Sequence, residues 1–423
     1  MAQKNVLIFP CGSEIGLDIF HSLKYSIHFH LIGASSVDDH GKFLYEDYIS
    51  GLPYANSPEF IPALKKIVQE RKIDAVYPTM DSVITILKEN EAELGVKVVA
   101  PPVETTHICL SKELTYNALK SVVRLPKSYS LNSVDTFPVF VKPKVGYGAI
   151  GTRLVHDAQA LEAYMSEHPD YMILEYLPGE EYTVDCFTDR HGRLLYSAGR
   201  GRRRIKSGVS VNTAFEPDQQ QFRSIAEKIN SKMSLRGAWF FQVKRNCDGE
   251  LTLMEVAARL GGSSLLSKAV GVNFPMLSLF DAFDYDVTVS VNDYYVELDR
   301  ALSSVYKTDL SYGCVYVDYD DCLVLEKTRV NVQLVAFLYD CVNRGIKVTL
   351  LSRHAGDLEL ALKKHRLDGL FDQVIHIKDK TPKSTFIKEN DAIFIDDSWA
   401  ERNDVRSVLG IPVFSPDMVD VLI

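Results

Sequence analysis

The chain has 423 residues, 46% of them hydrophobic and 24% charged, with 24 Gly and 17 Pro, which excludes disordered, collagenous and disulfide-scaffold classes. That length accommodates roughly two to four domains of about 100 to 200 residues each. A formal net charge of -9 disfavours nonspecific attraction to nucleic acid or anionic lipid, so neither nucleic acid nor membrane is expected as a partner.

In chain order, residues 6–9 form an apolar run, followed by a glycine turn, a helix through Leu23, a second run at 28–33 and a third at Ala75–Pro78. That alternation predicts βαβα units. Residues 61–70 place Ile61, Leu64, Ile67 and Val68 on one helical face, and residues 96–100 close the segment as a strand before Pro101 and Pro102. From Thr105 to about Arg300, longer strands alternate with glycine and basic loops, an α+β pattern. The pattern weakens near 303–311, and Cys314–Val317 opens a second βαβ series ending at Phe414.

The seven cysteines are scattered, odd in number and never in a CxxC pair, so they read as reduced thiols in a cytoplasmic protein. The N-terminal segment lacks the apolar core and cleavage site of a signal peptide, and no stretch reaches the ~20 apolar residues of a membrane span. His21, His28, His30 and His107 lack metal-ligand spacing, and Trp239 and Trp399 are expected in the core.

Three middle segments carry chemistry. VKPKVGYGAIGT places Lys142 at a strand end ahead of Gly146, Gly148 and Gly151, a loop whose backbone N–H groups can approach phosphate oxygens. GRGRRRIKSGVS concentrates Arg200, Arg202, Arg203, Arg204 and Lys206 in an acidic chain, which suits a loop facing a polyanion. FFQVKRNCDGELTLMEVAARLGGS reads as two strands joined at Asp248-Gly249, setting Gln242 and Glu255 on neighbouring antiparallel strands, an oxygen pair suited to Mg²⁺.

With SKELTYNALK and ILEYLPGEEYTVD in the same order, this set resembles the ATP-grasp superfamily, especially the carbamoyl phosphate synthetase-like carboxylate-amine ligases, over about residues 1–300. The resemblance implies ATP and Mg²⁺ as cofactors. Lys112 and Lys142 would contact ATP, the loop of Gly146, Gly148 and Gly151 would close over its phosphates, and Glu175 with the backbone of Tyr176 and Leu177 would hold adenine. Glu181 would take the ribose hydroxyls, and Gln242 and Glu255 the metal. Arg259 and the 200–206 segment, with Arg202, Arg204 and Lys206, would face phosphate and an acyl-phosphate intermediate.

The implied activity joins a small-molecule carboxylate to an amine, releasing ADP and phosphate. Strand-end turns at Gly12, Ser13 and Glu14 and at Pro78, Thr79, Met80 and Asp81 are either part of the acceptor site or ordinary βα turns. Ligases of this likeness often dimerise, so a homodimer is an expectation. One position departs from the family's usual ExNxR: this chain reads Glu255-Val256-Ala257-Ala258-Arg259. Alanine cannot ligate a metal. Either one magnesium site is weakened, another ligand substitutes, or the domain has lost catalysis.

In CVYVDYDDCLV an apolar strand ends in Asp318 and Asp320, which a period of two sets on one side. Repelling buried carboxylates require a cation between them. Ser352, Lys383 and the pair Asp396 and Asp397 follow at later strand ends. This order resembles the haloacid dehalogenase (HAD) superfamily of phosphatases over about residues 312–423. By that likeness Asp318 is the nucleophile and Asp320 the general acid and base, Ser352 and Lys383 hold phosphate, and Asp396 or Asp397 joins Asp318 on Mg²⁺, with Asp320 counted in the metal set. Lys380 rivals Lys383, and Cys322 replaces the threonine of DxDxT. Only 29 residues separate the first two motifs, too few for a cap domain, so the site is expected to be open, with either a large substrate or a lid supplied by the ligase half; a phosphorylated small molecule is the expected partner.

The expected architecture is a Rossmann-like pre-ATP-grasp domain at 1–104, an ATP-grasp domain at 105–305 and a capless HAD-like Rossmannoid domain at 312–423. Three functions stay open: a ligase fused to a phosphatase, a phosphatase regulated by a catalytically reduced nucleotide-binding half, or a noncatalytic nucleotide-binding module of an assembly.

Overall fold

The apolar run of residues 6–9 is buried on both faces, the pattern of a central parallel strand. In the computed structural model, which describes residues 2–146, 150–206, 208–306 and 308–422, Lys4–Phe9 pairs in parallel with Phe29–Ala34 and Ala75–Pro78. The sheet runs Asp47–Ile49, Phe29–Ala34, Lys4–Phe9, Ala75–Pro78, Lys97–Val98. Leu7 and Phe9 enter one core, while Val6 and Ile8 enter another that includes Phe187, Ala238 and Leu279. Ser13 caps the helix Glu14–Leu23 by accepting from the Gly16 N–H.

The second core belongs partly to a six-stranded antiparallel sheet, ordered Leu251–Ala257, Gly237–Arg245, Glu181–Thr188, Leu194–Lys206, Val209–Phe215, Glu297–Asp299. A four-stranded antiparallel sheet, ordered Ser128–Tyr129, Tyr171–Glu175, Val139–Pro143, Arg153–Val155, completes the layers. Residues 1–302 form one compact unit, so the expected boundary at 104 lies inside it, and residues 303–423 form a second.

The basic run corrects the sequence reading. Residues 200–206 are not a loop but the end of the strand Leu194–Lys206. Strand alternation sends Arg200 inward, where its Nε donates to Asp185 Oδ2 at 2.6 Å and its Nη2 to the Gly262 carbonyl at 2.7 Å. Arg203 and Arg204 point outward to Glu297 and Asp299. Four of the five cations in the run are thus paired within the unit, Arg202 with Glu181.

The second unit is a five-stranded parallel sheet ordered Gln373–His376, Lys347–Ser352, Cys314–Val317, Ala392–Ile395, Val413–Phe414. The chain runs outward from Cys314–Val317 through Lys347–Ser352 to Gln373–His376 and then crosses back to Ala392–Ile395 on the other side, a reversal of strand order of the kind that sets a crevice at the C-terminal strand ends. Between that strand and the helix Val332–Asn343 stands only a hairpin of Val324–Leu325 with Arg329–Val330. Trp239 is buried, its indole donating to Thr188 Oγ1, but Trp399 is 71% exposed at the start of the helix Trp399–Leu409, against the core expectation. Among the described residues no helix is long and apolar enough to cross a membrane.

Asp185 and Arg200 are each about 1% exposed, and removing one member of such a pair strands the other charge in the interior. Asp185→Ala is expected to lower the unfolding free energy by about 3–5 kcal/mol, read as a lowered urea midpoint.

Candidate functional site

Lys142 ends up buried because Val139–Pro143 is a central strand of its sheet, and its Nζ donates to Tyr116 Oη at 2.9 Å and to the Met254 carbonyl at 3.1 Å. Burial pulls its pKa down to about 8, with Glu255 opposing that shift and Lys112 adding to it. No carboxylate stands within ion-pair distance of Lys142 among the described residues. A desolvated ammonium without a counter-charge is a place for an anion. Lys112 starts the helix Lys112–Leu119 and donates from Nζ to the Gly146 carbonyl at 2.7 Å, tying the helix to the glycine loop. Gly148 lies outside the described residues, and Gly151 takes a left-handed φ of 74°.

Gln242 and Glu255 stand directly opposite each other across Gly237–Arg245 and Leu251–Ala257. Glu255 acts electrostatically on Lys142, Tyr116, Arg202 and Arg259, so these groups lie around one carboxylate. Two oxygen donors face each other there, chemistry that fits a hard cation. Ala257, next on the same face as Glu255, offers only a buried methyl.

The other expected nucleotide residues are arranged unevenly. Glu175 accepts the Lys127 backbone N–H at 3.0 Å, Leu177 is buried, and the Lys244 ammonium lies 6.0 Å from the Tyr176 ring centre. Glu181 sits 3.0 Å from Arg202 Nε without hydrogen-bond alignment, and burial lowers the Arg202 pKa against the pull of Glu181. Arg204 is outside this grouping, bonded to Asp299 at 2.6 Å on the exposed edge, and Lys206 is exposed beyond it. Arg259 donates from Nε to Asp81 Oδ2 at 2.9 Å and lies over the Phe240 ring; burial opposes its charge, but Asp81 and Glu255 outweigh burial and raise its pKa. Nothing in the sequence marked Asp81 as the partner of Arg259, since the two are 178 residues apart. Among the acceptor candidates, Ser13 donates to Thr79 Oγ1 at 2.8 Å, linking the two strand-end turns.

In the second unit, parallel pairing of Cys314–Val317 with Ala392–Ile395 sets Asp318 beside Asp396 at the strand ends. Lys383 Nζ donates to Asp318 Oδ1 and Asp396 Oδ2, each at 2.6 Å. Burial raises the pKa of both carboxyls, that of Asp396 to about 6, while Lys383 restrains the rise. Asp318, Asp396 and Asp397 bring carboxylate oxygens within 4.8 Å of one another, an all-oxygen set that fits Mg²⁺. Ser352 Oγ is fully buried with no aligned hydrogen-bond partner, near enough to Asp318 to favour its charged form. Lys380 is exposed, so the cation of this cluster is Lys383. Cys322 Sγ lies 3.8 Å from the Ile395 carbonyl.

Asp320 departs from its expected place in the metal set. The strand ends at Val317, so a period of two no longer governs residue 320, and its carboxylate pairs with His354 Nδ1 at 2.9 and 3.0 Å. His354 escaped the sequence reading; the one available signal was its place two residues beyond Ser352.

Residues 167–300 match the family model described as "ATP-grasp in the biosynthetic pathway with Ter operon". The carbamoyl phosphate synthase large chain of Thermoplasma acidophilum is 24% identical over 298 residues, 62% of this chain and 28% of that protein. The chain spans less than a third of the length of the first curated relatives it matches. The biotin carboxylase domain of Hydrogenobacter thermophilus 2-oxoglutarate carboxylase, solved with MgADP, ADP and bicarbonate, superposes with a TM-score of 0.59 at 14% identity, covering 69% of this chain and 72% of that one. An L-amino acid ligase from Bacillus licheniformis gives a TM-score of 0.55 at 18% identity, covering 67% and 75%. The fold shared with these proteins is the mixed α/β ATP-grasp fold.

Removing the Lys383 charge leaves Asp318 and Asp396 facing each other in the interior. Asp396, with its raised pKa, binds its proton more tightly folded than unfolded, so its neutral form favours folding below about pH 4 and that advantage fades as pH rises through about 6. Lys383→Met is therefore expected to destabilise the full chain by about 3–5 kcal/mol at pH 8 and by clearly less at pH 5, measured by melting at both pH values.

Proposed function

We propose that residues 1–302 form an ATP-dependent ligase that joins a small-molecule carboxylate to an amine through an acyl phosphate. The observation that carries this reading is Lys142, a buried ammonium with no carboxylate at ion-pair distance among the described residues, lying within the electrostatic reach of Glu255, which faces Gln242. The matched family model and the carbamoyl phosphate synthase relative support it.

A carboxylate is a poor electrophile until it is phosphorylated. Lys142 and Lys112 would place positive charge along the phosphates, and Arg202, whose own charge burial disfavours, would gain from the same anion. Gln242 and Glu255 would hold Mg²⁺, which supplies charge neutralisation for the transferring phosphoryl group when bound. Glu181 and the Glu175–Leu177 segment would hold the nucleoside. Arg259, fixed by Asp81, would face the acyl-phosphate oxygens at the border with the Ser13 and Thr79 turns, where the acceptor would enter. Ala257 favours one second reading, a domain that takes up nucleotide without turnover.

For the second unit the geometry supports a Mg²⁺-dependent, capless HAD-like phosphatase. Asp318 would attack phosphorus to form an aspartyl phosphate, Asp320 would move the proton, Ser352 and Lys383 would hold phosphate oxygens, and Asp396 and Asp397 would complete the metal site. The open crevice suits a phosphorylated small molecule.

Supplied with ATP, Mg²⁺ and a pool of amino acids and small carboxylates, the chain is expected to release ADP with a coupled mass increase in one pool member. ATP binding without turnover on any acceptor would instead establish the second reading. Because Lys142 loses its proton near pH 8, affinity for a nonhydrolysable ATP analogue is expected to fall as pH rises through that value. Lys142→Met should weaken binding by about tenfold or more and flatten that profile in calorimetry. In a p-nitrophenyl phosphate assay, Asp318→Asn should reduce hydrolysis by more than about 100-fold while analogue binding persists; undiminished hydrolysis would refute the nucleophile assignment.

A further inference from the structure

Bordering the proposed nucleotide site, with which it shares Arg259, the first unit contains a cavity of about 180 Å³ at one edge of the interface between its parallel and six-stranded sheets. None of Lys112, Lys142, Gln242 and Glu255 lines it. Its charged lining consists of Lys88, Lys97, Arg236 and Arg259 against Glu91 and Asp281.

The two carboxylates are already engaged at every oxygen. Glu91 Oε1 accepts the Val98 N–H at 2.8 Å and Oε2 lies 2.6 Å from Lys88 Nζ. Asp281 Oδ1 accepts the Arg190 N–H and Oδ2 accepts from Arg236 Nε, both at 2.6 Å. The cations keep donors in reserve. Lys88 and Lys97 each meet a single carboxylate, Glu91 and Asp284, with a group that can donate three hydrogen bonds. Arg236 uses Nε and Nη2, and its Nη1 makes no hydrogen bond among the described residues. A wall whose four cations outnumber its two carboxylates, with donors left over, favours a ligand that accepts hydrogen bonds and carries negative charge.

Size and the remaining wall narrow the class. The volume equals that of about six waters at ~30 Å³ each, below the ~300 Å³ at which drug-sized pockets begin. Val98, Val99, Ala100, Ala238 and Ala258 supply an apolar side that a bare inorganic anion would leave uncovered.

We propose that this cavity is a second small-ligand site, which takes a compact carboxylate with a short hydrocarbon body. The cavity shares Arg259 and Pro78 with the proposed ligase site, but the inference is argued from the wall chemistry and tested without nucleotide, so its failure is distinguishable from failure of the ligase reading.

The test is calorimetric titration of the full chain with two- to five-carbon mono- and dicarboxylates, with inorganic phosphate, and with succinamide as the uncharged counterpart of succinate. At least one carboxylate is expected to bind at least tenfold more tightly than phosphate or succinamide. Two variants carry the location. Lys88→Gln with Lys97→Gln removes partly exposed cations while leaving the Arg236 and Asp281 pair in place, and Ala100→Leu fills the volume. Each should weaken carboxylate binding at least tenfold, with melting temperature and ATP-analogue affinity retained. Lys142→Met should leave carboxylate binding unchanged. The proposal is overturned if no carboxylate in the panel binds, if phosphate or succinamide binds as tightly, or if binding survives both cavity variants and disappears in Lys142→Met.

Discussion

An ammonium group taken out of water must find a counter-charge or give up part of its affinity for the proton, and the two most deeply buried lysines among the described residues meet that constraint in opposite ways. Lys383 sits between Asp318 and Asp396, and its pKa is raised although burial pushes it down, because the two carboxylates outweigh desolvation. Among the described residues Lys142 donates to a phenol and a carbonyl and meets no carboxylate at ion-pair distance, and its pKa drops. The first arrangement is a charge-compensated cluster that can exchange partners. The second is an uncompensated cation waiting for an anion. The chemistry proposed for each unit begins from that difference.

The same constraint organises the scaffold of the first unit. Arg200 can be buried in the six-stranded sheet because Asp185, two residues from its register partner Thr183 on the neighbouring strand, reaches it diagonally. Arg259 can sit at the end of the strand pair carrying Gln242 and Glu255 because Asp81, from the parallel sheet's own strand-end turn, reaches it. This ion pair joins the layer that would offer an acceptor to the layer that would hold the nucleotide. A rearrangement of either layer therefore acts on Arg259 directly. Arg259 also closes one end of the small cavity, which places that cavity one side chain away from the proposed reacting centre.

Much of the local structure was legible because it depends on neighbours in sequence. The Asp248-Gly249 turn, with Gly249 at a φ of 80°, fixes the hairpin that opposes Gln242 to Glu255. The apolar runs at Cys314–Val317 and Ala75–Pro78 are parallel strands because they have no polar face to expose. The errors arose where a local pattern was extended past the element that gave it meaning. Asp320 lies beyond its strand and turns to His354, and the basic run is a strand, shifted in register after Arg202, that divides its charges between interior and surface. Trp399, judged by residue type alone, proved to be an exposed first residue of a helix.

By itself the sequence determined the two layered α/β arrangements, the strand-end carboxylates at Asp318 and Asp396, and the facing oxygens of Gln242 and Glu255, since hydrophobic period and turn chemistry act over a few residues. Only the tertiary structure decided that Lys142 meets no carboxylate at ion-pair distance among the described residues, that Lys383 rather than Lys380 bridges the carboxylates, that Asp81 holds Arg259, and that a donor-rich cavity borders Arg259. Those outcomes depend on which side chains meet across tens to hundreds of residues of intervening chain, and on which of them lose their water when they do.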